Sequence, residues 1–109
     1  MKTMNKTQLI GYVGADPKTT DCKNGAKMVI LSVATDHAIK NKKGEKEYIS
    51  TWHNIIAFGP TAEIAVSSFS KGSHILVEGH LVYRTFQDKI GHTRYMTEII
   101  AYRVMNLDR

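Results

Sequence analysis

A single cysteine, Cys22, rules out an internal disulfide and leaves a thiol metal site without a second sulfur. It stands in the turn-like run Asp21-Cys22-Lys23-Asn24-Gly25, a setting that fits a reducing cytosol better than a catalytic thiol. No apolar run is long enough to span a bilayer, and the N-terminus has no basic-then-apolar leader, so a soluble intracellular protein is expected. Met1-Lys2-Thr3 before Met4 reads as a ragged start. There is no internal repeat, low-complexity tract or linker, and 109 residues suit one domain spanning 1–109. Acidic residues are outnumbered ten to fifteen by Lys plus Arg, and the resulting +5 charge leans towards a polyanionic partner.

Catalytic constellations are missing as well. The histidines His37, His53, His74, His80 and His92 are scattered, and His74 and His80, six apart on one strand, are too distant to chelate together. No glycine-rich phosphate loop, nucleophile elbow or paired apolar carboxylates occur. An enzyme is therefore disfavoured, and no metal or cofactor is called for.

What the chain does have is concentrated in Thr51-Trp52-His53-Asn54-Ile55-Ile56-Ala57-Phe58-Gly59-Pro60. As a strand this puts Trp52, Asn54, Ile56 and Phe58 on one face and His53, Ile55 and Ala57 on the other. Two flat rings six residues apart on one strand lie roughly 20 Å apart, a spacing that suits an extended ligand better than a small one.

The rest of the chain supplies a frame for that stretch. Gln8 to Gly14 reads as a first strand, with Leu9 and Val13 on one face and Ile10 and Tyr12 on the other, stopped by Pro17. After an Asn24-Gly25 turn, a second strand from Lys27 to Thr35 is apolar on both faces and is expected to be covered on both. The lysine-rich run from Ile39 to Glu47 reads as a mobile loop, and Tyr48 to Phe58 as the third strand. Pro60, Ala62, Ile64, Ala65 and Phe69 follow helical spacing, with Gly72 suited to a left-handed cap. A fourth strand runs from His74 to Phe86, with Gly79 marking a bulge or bend. Asp88-Lys89-Ile90-Gly91 is a hairpin turn, and a last strand spans Arg94 to Met105. Three strands, one helix and two strands make an all-β, five-stranded Greek-key barrel of the OB-fold type, with the helix between strands three and four. Another small barrel, or a half-open sandwich plugged by the helix, fits the same pattern.

Single-stranded nucleic acid is held by a basic groove along the backbone and by aromatics on which bases stack. Trp52 and Phe58 on strand three, Phe86 at the end of strand four, Arg84 on the same face as Phe86, and the loop lysines Lys40, Lys42, Lys43 and Lys46 are the parts for such a site.

Several of these segments resemble the bacterial single-stranded DNA-binding (SSB) protein family. Gln8-Leu9-Ile10-Gly11-Tyr12-Val13-Gly14-Ala15-Asp16-Pro17 is similar to its opening motif, and Trp52-His53-Asn54-Ile55-Ile56-Ala57-Phe58-Gly59 to its central signature. Lys71-Gly72-Ser73 through Val77-Glu78-Gly79, and Phe86-Gln87-Asp88 through Arg94-Tyr95 and Thr97-Glu98, continue the resemblance in register. It implies an OB-fold subunit that assembles, most often as a homotetramer with a dimer next, and wraps single-stranded DNA in replication, recombination and repair beside the nucleoid in the bacterial cytoplasm. It places the stacking positions on Trp52, Phe58 and Phe86, where Phe86 stands for a common Trp, and a fourth on Ile39, which covers a base without stacking. Asn54 and Pro60 stand where Arg and Lys are frequent, whereas Arg84 and Lys71 keep their phosphate contacts. His53 matches a subunit-interface position. Typical members continue past the point where this chain stops, Asn106-Leu107-Asp108-Arg109, into a flexible linker and an acidic tip, so tail-mediated recruitment of replication enzymes is not expected. That shortness, with Ile39 and Asn54, also admits a primosome-type adaptor that binds nucleic acid weakly.

Overall fold

Period-two alternation dominates the chain, and in the computed structural model, which describes residues 2–22 and 25–108, it becomes six strands around one helix. In chain order these are β1 (Thr7–Val13), β2 (Lys18–Asp21), β3 (Lys27–Lys40), β4 (Lys46–Phe58), α1 (Gly59–Ser68), β5 (His74–Gln87) and β6 (Thr93–Asn106). The sheet order is β1-β5-β6-β4-β3-β2, and an extra β1–β3 pairing at Tyr12↔Ala34 and Val13↔Val33 closes five strands into a barrel. All ladders are antiparallel except β4–β6, where Asn54 to Ala57 run beside Glu98 to Ala101. This is the OB-fold expected, with the short β2 added on the outside of β3.

One residue type per alternation goes inwards. Val29, Leu31 and Val33 of β3, Ile55 and Ala57 of β4, Ile75 and Val77 of β5, and Ile99 and Ala101 of β6 form the core. Burying each branched side chain contributes on the order of 1.5–3 kcal/mol. Helix α1 carries Pro60 in its first turn, packs on β3, β4 and β6, and closes the barrel end with Ala62, Ala65 and the following Phe69. At the expected bulge between Glu78 and Gly79 the β5–β6 register shifts, and a Cβ on Gly79 would press into the carbonyl oxygen of Ile100.

Four expectations need correction. The second strand is covered on one face only: Val29, Leu31 and Val33 are buried, while Ile30 on the other face is 37% exposed. Its outer apolar residues line the surface described below rather than a second core. The lysine-rich run is mostly ladder, because β3 continues to Lys40 and β4 begins at Lys46, in register across the hairpin. Only residues 41–45 turn, and the Asn41 carboxamide fixes them by accepting hydrogen bonds from the Lys43 and Glu45 N–H groups and donating to Glu47. Ile64 points to solvent, since the inward stripe of α1 is Ala62 and Ala65. The helix ends at Ser68 with an extended Phe69, so Gly72 (φ +91°) serves the next turn and is not the helix cap. Of the Asn24-Gly25 turn, Asn24 lies outside the described residues; Gly25 donates to the Cys22 carbonyl and Cys22 to that of Ala26.

Candidate nucleic-acid interface

Register fixes which side chains share the outer face. Across β3–β4, Trp52 faces Ala34, Asn54 faces Ser32, Ile56 faces Ile30 and Phe58 faces Met28. The parallel ladder sets Glu98 beside Asn54, and β6 carries the row on to Val82 of β5, with Met96 opposite Arg84 and Arg94 opposite Phe86. Directly opposed residues project to the same side of a sheet. Trp52, Asn54, Phe58, Arg84 and Phe86 are therefore on one continuous surface, although they come from strands distant in sequence.

The rings are open to solvent on that surface: Trp52 is 59% exposed, Phe58 43% and Phe86 39%. Trp52 lies across Ala34 onto Gly14, where any Cβ would run into the six-membered part of the indole. Gly14 is held by its own N–H donating to the Ser32 carbonyl at 2.9 Å. The ring thus rests against the Gly14 backbone while most of it stays exposed. Phe58 is the N-cap residue of α1, so its direction is set where strand turns into helix.

Arg84 is organised differently. Its Nε donates to Glu98 Oε1 at 2.9 Å and its Nη2 to Glu98 Oε2 at 3.2 Å, while its guanidinium carbon lies 5.6 Å from the Phe86 ring centroid. Glu98 is only 6% exposed. Its hydrogen bond, and then its charge, raise the Arg84 pKa further above the ordinary arginine value. The guanidinium therefore stays charged and lies within cation–π range of Phe86. Arg94, opposite Phe86, is tied to Asp88 at 2.9 Å, and that hydrogen bond holds the Asp88 carboxyl below its usual range.

The lysines divide. Lys40 and Lys46 oppose each other on the Trp52 face of the β3–β4 arm, whereas Lys42 and Lys43 occupy its tip. Lys71 lies in the turn after α1, where its N–H donates to Asp16 Oδ1 at 2.7 Å and the next residue, Gly72, donates to the Val13 carbonyl, close to the Gly14 seat of Trp52. Ile39 is not brought together with the rings: alternation puts it on the opposite face of β3, with Ile49 and His37. Pro60 is in the first turn of α1 and offers no cation. His53 is half-buried on the face opposite Trp52, 2.9 Å from the Thr35 hydroxyl, and burial lowers its pKa. Gly14 and Glu98 are the residues sequence reasoning passed over. The Gly14 signal was present in the opening motif, but Glu98 meets Asn54 only through the non-local β4–β6 pairing.

Among the described residues no cluster of His, Cys, Asp or Glu is placed to hold a metal ion, and no helix is long and apolar enough to cross a membrane. The sequence profile of the single-strand binding protein family matches residues 4–107. The chain is 44% identical over 110 residues to single-stranded DNA-binding protein 1 of Xylella fastidiosa (strain 9a5c), covering 100% of this chain and 81% of that one. Among solved structures, a Plasmodium falciparum SSB in complex with ssDNA superposes with a TM-score of 0.89 at 26% identity, covering 99% of this chain and 98% of that one. A deletion mutant of the single-stranded DNA binding protein from Thermus aquaticus gives 0.81 at 25% identity, over 96% of this chain and 51% of that one.

Proposed function

The chain belongs to the single-strand binding protein family, and we propose that it binds and protects single-stranded DNA without reading its sequence, in replication, recombination and repair. The observation that carries this reading is the seat of Trp52: an indole set against Gly14 yet 59% exposed, on the same surface as Phe58, Phe86 and the Arg84 fork. Stacked bases contribute about 1–3 kcal/mol per ring and need no particular base. Lys40, Lys42, Lys43, Lys46 and Lys71 neutralise phosphates around the rings, Asn54 supplies a neutral polar contact between them, and Ile39 covers chain that wraps to the far side of the arm. No step of this function breaks a covalent bond, and no catalytic role is assigned. The site of action is the cytoplasm, beside the nucleoid.

The binding unit is a homotetramer in this reading. Ile10 (56% exposed), Leu76 and Met105 (42%) form one row across the outer face of β1, β5 and β6, beside the stacked pair Tyr12 and His74. On its other edge β1 pairs with β3 only at Tyr12 and Val13, and in this reading Thr7 to Ile10 are offered to a second copy. His53 lies at a subunit boundary in the same reading.

Trp52 is the only tryptophan, so its fluorescence reports on this site alone. Titration with oligo(dT) should quench it and duplex of equal length should not. The affinity should weaken as salt rises, with a slope of about −0.7 per neutralised phosphate. Absence of quenching at low salt would refute the proposal, and light scattering on the same sample reads the assembly.

A further inference from the structure

The β3–β4 arm presents an aromatic that the reading so far leaves without a role. The ladder runs regularly out to Lys40↔Lys46, and Asn41 ties the tip, so side chains on the arm keep a fixed direction. Tyr48, Ser50 and Trp52 alternate onto the same face. Tyr48 is 68% exposed, and it faces Ala38 as Trp52 faces Ala34, so neither ring has a bulky neighbour on β3. The two rings are four residues, or roughly 13 Å, apart along the strand. Between them Asp36 accepts the Ser50 hydroxyl at 2.5 Å. Beyond Tyr48 the Lys46 ammonium lies 5.9 Å from the ring centroid, with Lys40 directly across the ladder.

We propose that Tyr48 is a further base-stacking platform, which carries the single strand from Trp52 outwards along the arm, with Lys46 and Lys40 taking the adjoining phosphates. This inference rests on the single-stranded DNA reading above. An exposed tyrosine with no ligand role would need none of the three features found together: shared face with Trp52, an alanine opposite, and flanking cations. The surface is the arrangement that sequence-tolerant binding requires, rings alternating with positive charge along an extended path.

The test compares wild type, Tyr48→Ala and Tyr48→Phe by Trp52 quenching with a long oligo(dT), each at several salt concentrations, after thermal melts have shown equal stability. Tyr48→Ala should bind about five- to 150-fold more weakly, the equivalent of one lost stack. Tyr48→Phe should bind as wild type does, and the salt slope should be the same in all three because no charge is removed. Ultraviolet cross-linking to a bromodeoxyuridine oligomer should label the peptide that contains Tyr48. Wild-type binding with an unaffected Tyr48→Ala would overturn the inference and leave the general reading intact. A Tyr48→Phe loss equal to that of Tyr48→Ala would also overturn it, since the hydroxyl and not the ring would then matter. Failure of the wild type itself to bind would remove the reading on which the inference rests.

Discussion

Gly14→Ala is the smallest change that should disable the Trp52 site without touching a residue that meets DNA. The φ of Gly14 lies outside the left-handed region, so alanine brings no backbone strain. The added methyl would overlap the indole, and the seat is backbone held by the Gly14 N–H to Ser32 bond, so the ring is the part that must move. Trp52 is 59% exposed and can swing into solvent at little cost to the core. The expected loss is then that of the stack, about 1–3 kcal/mol, or about five- to 150-fold in affinity for oligo(dT). A double-mutant cycle decides the cause. Trp52→Ala should lose a similar amount, and Gly14→Ala added to Trp52→Ala should lose little more. Binding in this background is read by anisotropy of a labelled oligonucleotide, since the intrinsic reporter is gone. Fully additive losses would refute the reasoning, because the glycine would then act on the barrel and not on the ring.

Two further outcomes follow from the buried ionisable groups. Arg84→Gln should lower both the melting temperature and the affinity, because it strands Glu98, 6% exposed, without its cation; Arg84→Gln with Glu98→Gln should restore the melting temperature but not the affinity, and equal recovery of both would show that Arg84 acts only through the fold. Burial lowers the folded-state pKa of His53 below its unfolded value, so the unfolded chain binds more protons and stability falls as pH drops below about 6.5, levelling off beneath the folded pKa; urea midpoints at about pH 7.5 and about pH 5.5 should differ more for wild type than for His53→Gln, and an equal difference would place the pH dependence elsewhere.

The barrel was legible in the sequence because its signals are local. Alternation marks β1 and β5, Gly79 marks the bulge, and Pro60 followed by Ala62, Ala65 and Phe69 marks helix α1. The short β2 was missed because Lys18 to Asp21 is a polar edge strand with one half-buried residue, and four residues carry no usable period. The length of the arm was missed because Ile39 to Glu47 reads as a charged loop; the tip is tied by the Asn41 carboxamide, whose three hydrogen bonds are not visible as composition.

The site was half legible for a related reason. Which residues share a face of one strand follows from counting by two, and this was enough to group Trp52 with Phe58, and Arg84 with Phe86. Which strands share a surface follows from the parallel β4–β6 ladder, a pairing between segments more than forty residues apart that no local pattern specifies. That ladder puts Asn54 beside Glu98, and Glu98 in turn fixes Arg84 over Phe86. Asn54 is neutral, so the residue beside Glu98 on β4 does not compete with Arg84 for that buried carboxylate. That undivided pairing holds the guanidinium carbon 5.6 Å from the Phe86 ring centroid.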